Sequence, residues 1–156
     1  VITSHTEPIP GTGDEFRKFN YLEIGVRLAI DSEAIWGCPD TGCGMSLVDI
    51  AWLTERIPQL RILNRASSMR VKGIGSQSHV SNSFVVITMY FPNSDGSKLG
   101  KVTRELHLVE GLGCKLLLGT DIIKPEEIIP DVDRGIARIG ACEDIEVPIH
   151  VVARGR

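Results

Sequence analysis

The chain has 156 residues, of which 24% are charged, and a net charge of −3. That length suits one domain with a buried core, and the weakly acidic balance without a basic run argues against a nucleic-acid surface. Its longest apolar runs, such as Phe84-Val85-Val86-Ile87, are too short to span a membrane.

Residues 1–19 carry Pro8, Pro10, Gly11 and Gly13 among mixed charges and read as a linker or loosely docked arm. The domain proper is expected over residues 20–156. Residues 1–7 have neither the basic start nor the apolar stretch of a signal peptide, and a chain beginning at Val1 reads as part of something longer. No Asn-x-Ser/Thr site occurs.

Leu22, Ile24, Val26, Leu28 and Ile30 alternate with Glu23, Gly25, Arg27 and Ala29, which predicts a strand of period two. A second strand is expected over 33–37. Asp40-Thr41-Gly42 follows it closely. A helix is expected next, with Ser46 as N-cap and Asp49 completing a variant capping box. Ile50, Leu53 and Ile57 supply its apolar face, and Pro58 ends it.

Residues 69–87 read as a long hairpin whose tip, Gly73-Ile74-Gly75-Ser76-Gln77-Ser78, is small and polar. Residues 84–91 and 101–109 are strands around the turn-rich loop Pro92-Asn93-Ser94-Asp95-Gly96. Leu116-Leu117-Leu118 is a short buried strand that runs into Gly119-Thr120-Asp121. Pro125-Glu126-Glu127 suggests one helical turn, with proline first and acids at the positive end of the helix dipole. Asp133-Arg134-Gly135 reads as a turn between strands 128–132 and 136–139. Ile145, Val147, Ile149 and Val151 alternate once more, and Pro148 among them predicts an edge strand or pairing elsewhere. The sum is a mainly β domain of many short strands with one or two short helices, nearer a barrel than a sandwich.

The four cysteines are Cys38, Cys43, Cys114 and Cys142, and without a secretory signal they read as free, mostly buried thiols. Whether Cys38 and Cys43, which bracket Asp40, pair with each other stays open. His5, His79, His107 and His150 are too scattered for a zinc site, so neither metal nor cofactor is expected.

A strand, Asp40-Thr41-Gly42, a helix, a glycine-tipped hairpin and then an aliphatic run ending in Gly119 form an ordered set. This set resembles the retropepsins, the homodimeric aspartic proteases of retroviruses and LTR retrotransposons, fungal ones included. The resemblance runs over about residues 21–139 and includes Asp40-Thr41-Gly42-Cys43-Gly44-Met45-Ser46-Leu47. It implies a closed β-barrel acid-protease fold and an endopeptidase that processes a polyprotein, in the cytoplasm or within a retroelement particle.

In that family the motif aspartate is catalytic, a role that falls here to Asp40, with Thr41 and Gly42 completing the motif. The chain has one such aspartate and no internal repeat, so the resemblance implies an active site made between two copies, with the chain itself and an extended peptide as partners. Two carboxylates about 3 Å apart cannot both ionise, so one acts as acid while the other activates water. A threonine hydroxyl at 41 can bond across the two-fold axis, and glycine at 42 lets the backbone bring its N–H to the carboxylate. The hairpin tip corresponds to a flap, so Gly73, Ile74, Gly75 and Ser76, with Gly44 and Met45 after the motif, are implied substrate-binding residues. Leu118-Gly119 is implied to pack behind the catalytic loop.

The chain departs from the family at Trp36-Gly37-Cys38-Pro39, where aliphatic residues are usual, and at Cys43-Gly44 after the motif. These departures motivate a second reading, an inactive retropepsin fold serving as a dimerisation or peptide-binding module. A third reading is a β-barrel binding domain with a chance Asp-Thr-Gly. Trp36 and Trp52 read as core or as pocket lining, and His79 as a solvated loop residue or a pH sensor. Asp121 could orient an interface through an arginine or cap a helical turn. The strand at 145–152 could join an intersubunit sheet or an edge within the chain.

Overall fold

The computed structural model describes residues 1–6, 9–11, 19–72 and 78–153. Ten strands dominate them: β1 (Phe19–Val26), β2 (Ile35–Pro39), β3 (Leu47–Asp49), β4 (Leu63–Lys72), β5 (Ser78–Pro92), β6 (Leu99–Val109), β7 (Leu116–Leu118), β8 (Ile128–Asp131), β9 (Ile136–Ile139) and β10 (Ile145–Ala153). Two short helices, α1 (Ile50–Arg56) and α2 (Thr120–Ile123), follow β3 and β7. The mainly β expectation, with one or two short helices, matches this architecture.

The strands form one sheet in the order β4-β5-β6-β3-β7-β2-β1-β10-β9-β8. It is open, which corrects the expected closed barrel. Closure requires a continuous ladder between the flanks of the sheet. Here the β1 segment meets β5 at one isolated bridge, where Arg27 and Tyr90 exchange backbone bonds of 2.7 and 2.8 Å. The chain cannot prolong that ladder because it turns back: Ser32 N–H donates to Ala29 O and Ala29 N–H to Ser32 Oγ. For the same reason the strand expected to reach Ile30 ends at Val26.

The alternation of each strand sorts its side chains onto two faces. The larger core gathers Ile24, Val26, Val48, Val85, Leu106, Leu116, Leu118, Val147 and Ile149. A smaller cluster on the other face holds Cys43, Leu47, Val109, Leu112 and Leu117. Strand β7 serves both faces, which is why it reads as an unbroken aliphatic run. Fully burying one such leucine is worth about 2 kcal/mol.

Strand β10 lies between β1 and β9, not at an edge. Its first part pairs with β9 as far as Pro148↔Ile136, and its pairing with β1 begins at Ile24↔Ile149. The proline therefore sits where the strand passes from one neighbour to the other, a place where a missing N–H leaves no gap in either ladder. This corrects the edge-strand expectation and places 145–153 in an intrachain sheet.

The first helix is capped by Asp49, whose Oδ1 accepts Trp52 N–H at 3.0 Å. Ser46 is not the cap, because the chain first passes through β3. Leu53 is the buried residue of α1, Ile57 is its C-cap, and Arg56 lies 4.3 Å over the Trp52 ring. The second helix begins at Thr120, before the expected turn at Pro125. Residues 125–127 instead form the non-helical turn that leaves α2, with Glu127 at φ 54°.

Candidate active site

Asp40 stands at the end of β2, which runs parallel to β7 with Cys38 opposite Leu117 and Pro39 opposite Leu118. Its backbone N–H donates to Leu118 O at 2.8 Å, and its carbonyl accepts Cys43 N–H at 3.3 Å. Between those anchors the loop turns, and Gly42 N–H donates to Asp40 Oδ1 at 2.8 Å. A Cβ at residue 42 would lie 3.1 Å from that oxygen, so a side chain there would crowd the carboxylate. Asp40 is half-buried, while Thr41 and Gly42 are exposed at the tip. One carboxylate oxygen is thus held, and Oδ2 has no hydrogen bond among the described residues.

The unusual residues before Asp40 have local reasons. Gly37 faces Leu116, whose Cδ2 would stand 3.3 Å from any Cβ at 37. Pro39 lacks an N–H, and the bond to Leu118 is made by the next residue, Asp40. Both departures fit the loop they precede.

Behind the loop, the two motif segments interlock. Thr120 N–H donates to Cys43 O at 2.9 Å. Gly119 passes so close to the loop that a Cβ would fall 2.6 Å from Met45 O and 2.7 Å from Cys43 O. Ser46 Oγ donates to Asp121 Oδ1 at 2.7 Å and accepts Gly119 N–H at 3.0 Å, while Ser46 N–H donates to Asp121 Oδ2 at 3.0 Å. Asp121 therefore does not cap α2, whose N-cap is Gly119; within the chain it fastens Ser46, the residue that closes the Asp40 loop. Asp49 adds a second tie, accepting Leu112 N–H on Oδ2 at 3.0 Å.

Of the expected substrate contacts, Gly44 is exposed and Met45 half-buried on the same loop as Asp40. Gly73, Ile74, Gly75 and Ser76 lie outside the described residues. The hairpin that carries them is defined by its legs, β4 and β5, paired from Leu63↔Phe84 to Lys72↔Ser78. His79 belongs to β5 and not to a loop. Trp52 packs against the core, whereas Trp36 is 38% exposed and stacks on His150 at 3.9 Å, with His150 Nε2 2.8 Å from Glu23 Oε1.

Sequence reasoning missed two features near this loop. His107 is paired in register with Leu47 on one side and Phe84 on the other, and it is buried at 6% exposure. Its Nδ1 has no hydrogen-bond partner among the described residues, and burial, aided by the charge of Arg65, pushes its pKa down. Its signal in the sequence was a titratable residue inside the apolar end of β6. The second feature is the pair of thiols Cys38 and Cys114: interaction with Cys114, with burial adding to it, pushes the Cys38 thiol up, and interaction with Cys38 holds the Cys114 thiol below its ordinary range. All four cysteines are free thiols. A cavity of about 770 Å³ lies away from all this, between the 93–99 loop and residues 142–146, and touches none of the Asp40 loop.

No protein-family model matches the chain, and no curated protein matches it. Among solved structures it is similar to the retroviral protease-like domain of Ddi1 from Leishmania major, with a TM-score of 0.59 and 17% sequence identity. The alignment covers 85% of this chain and 96% of that domain. The fold is therefore retropepsin-like.

Proposed function

We propose that the chain is an aspartic endopeptidase that works as a homodimer. Asp40 from each copy would share one proton, the ionised carboxylate drawing a proton from water and the protonated one giving its proton to the departing amide. The observation that carries this reading is the Asp40 loop itself: one carboxylate oxygen is held by Gly42 N–H, and the motif tip is exposed where a second copy can meet it. A C2 interface is self-complementary, so one aspartate per chain lands beside its own copy. The substrate is an extended peptide, held by strand pairing beneath the β4–β5 hairpin, such as a segment of a retroelement polyprotein. The cytoplasm or a retroelement particle is where such processing would take place.

The test is digestion of a peptide library at acidic and neutral pH, with a pepstatin-type inhibitor and the Asp40→Asn variant as controls. Inhibitor-sensitive cleavage that vanishes in Asp40→Asn is the expected result. No cleavage by a folded, dimeric chain would leave the module that only binds peptides. Cleavage by Asp40→Asn would overturn the assignment of the catalyst.

A further inference from the structure

We propose that His107 is a specificity-determining residue, whose Nδ1 hydrogen-bonds an uncharged polar side chain of the peptide, that of Asn, Gln, Ser or Thr. This role rests on the endopeptidase reading above and narrows its substrates.

One row of paired residues crosses the sheet from the hairpin to the Asp40 loop. Leu63 on β4 faces Phe84 on β5, Phe84 faces His107 on β6, and His107 faces Leu47 on β3. Leu47 faces Leu117 on β7, and Leu117 faces Cys38 on β2, two residues before Asp40. Partners in register share one face of a sheet. Leu47 and Leu117 pack there with Cys43, and Met45 lies against them, so this is the face that meets the Asp40 loop. His107 N–H donates to Ser46 O at 3.0 Å, which ties β6 to the residue that closes that loop. On the other side the Phe84 ring, part of the hairpin leg, lies 6.1 Å from the imidazole and is tilted by 42°. A peptide held beneath the hairpin and beside Asp40 passes over this row. His107 is the one residue of the row with a strong hydrogen-bonding side chain.

The imidazole is 6% exposed, and its Nδ1 is buried without a hydrogen-bond partner among the described residues. A buried polar atom left unpaired is costly, and a ligand that supplies its partner removes that cost. Burial and Arg65 push the pKa down, which keeps the ring neutral at pH 7. A neutral imidazole offers one donor and one acceptor nitrogen. Charges of both signs bear on it, Arg65 against Glu105 and Asp121. A charged peptide side chain would therefore meet a like charge as well as lose its water. An amide or a hydroxyl brings both a donor and an acceptor without that penalty. An apolar side chain of the same size leaves Nδ1 unpaired, and discrimination arises from that difference.

The experiment uses the full chain and extended peptides that carry Asn, or its isostere Leu, at each position in turn. At one position the Asn peptide should exceed the Leu peptide by about 10- to 100-fold in kcat/KM, as a buried hydrogen bond implies. His107→Leu should abolish that ratio and leave the ratios at the other positions as they were, whereas a purely structural role would move all positions alike. His107→Asn, whose amide reaches the place of Nδ1, should restore part of it. A parent chain without such a position, or a ratio that survives in His107→Leu, would overturn this role. The imidazole nitrogen NMR signals of His107 give a second measure with residue 107 intact. In Asp40→Asn they should move on binding the Asn peptide and stay in place with the Leu peptide; an equal response to both would overturn the contact. If the parent chain cuts no peptide, the endopeptidase reading fails, while the nitrogen signals still decide whether His107 reads a bound peptide. Peptides that do not bind at all would overturn both.

Discussion

Ser46 and Asp121 hold each other by two hydrogen bonds, from the serine N–H at 3.0 Å and from its hydroxyl at 2.7 Å. The same hydroxyl oxygen accepts Gly119 N–H, so one side chain joins the loop after Asp40 to the segment after β7. Ser46 is fully buried. Replacing it with alanine strands the Gly119 N–H and removes one donor from the Asp121 carboxylate. Ser46→Ala should cost about 2 kcal/mol in urea unfolding, the penalty of leaving buried polar groups unpaired. A midpoint equal to that of the parent chain would mean that water replaces the hydroxyl.

Gly119 admits no side chain. A Cβ would lie 2.6 Å from Met45 O and 2.7 Å from Cys43 O, and both contacts are backbone, which cannot swing aside. Gly119→Ala should therefore cost about 3 kcal/mol, at the upper end of overpacking penalties, and shift the Asp40 loop. Thermal unfolding gives the first quantity; loss of the proposed peptidase activity out of proportion to the fraction unfolded gives the second.

Asp49 does two jobs with one carboxylate, capping α1 through Trp52 N–H and holding Leu112 N–H. Asp49→Ala should lose about 1 kcal/mol for the cap and a similar amount for the orphaned Leu112 N–H. Asn at 49 keeps one acceptor oxygen, so Asp49→Asn should retain about half of that in chemical denaturation.

His107 makes stability depend on pH with a definite sign. Burial lowers its folded pKa, with Arg65 acting in the same direction and Glu105 and Asp121 opposing it. Below the unfolded value, about 6.5, the unfolded chain takes up a proton that the native chain resists, so stability falls as pH drops. The contribution is complete above about pH 7 and is lost on the acid side, toward the lowered folded value. His107→Leu should flatten the part of the curve on the acid side of about pH 7 in urea midpoints. A parallel curve in the variant would assign the acid sensitivity to other groups.

Much of this was legible in local sequence. The alternation from Leu22 to Val26, the spacing of Ile50, Leu53 and Ile57, and the aliphatic run before Gly119 each specify an element from its own residues. The placing of Asp40 beside Leu118 was implied by the resemblance to the retropepsins, not by any local pattern. What escaped depends on partners far away in the chain. Ser46 looks like an N-cap until Asp121, 75 residues later, is seen to hold it. Pro148 looks like an edge marker until both neighbours of β10 are known. The open sheet could not be read from strand content, because closure depends on a ladder between strand ends that no local pattern encodes.

An open sheet has two borders, and borders can recruit other chains into fibrils. One border here is β8, only four residues long and interrupted by Pro130, which offers no N–H to a newcomer. The other is β4, whose pairing with β5 slips register between Asn64 and Met69. Neither presents the long, flat, regular row of free amides that templates stacking. The molecule can leave its barrel unclosed without turning either border into a template for stacking.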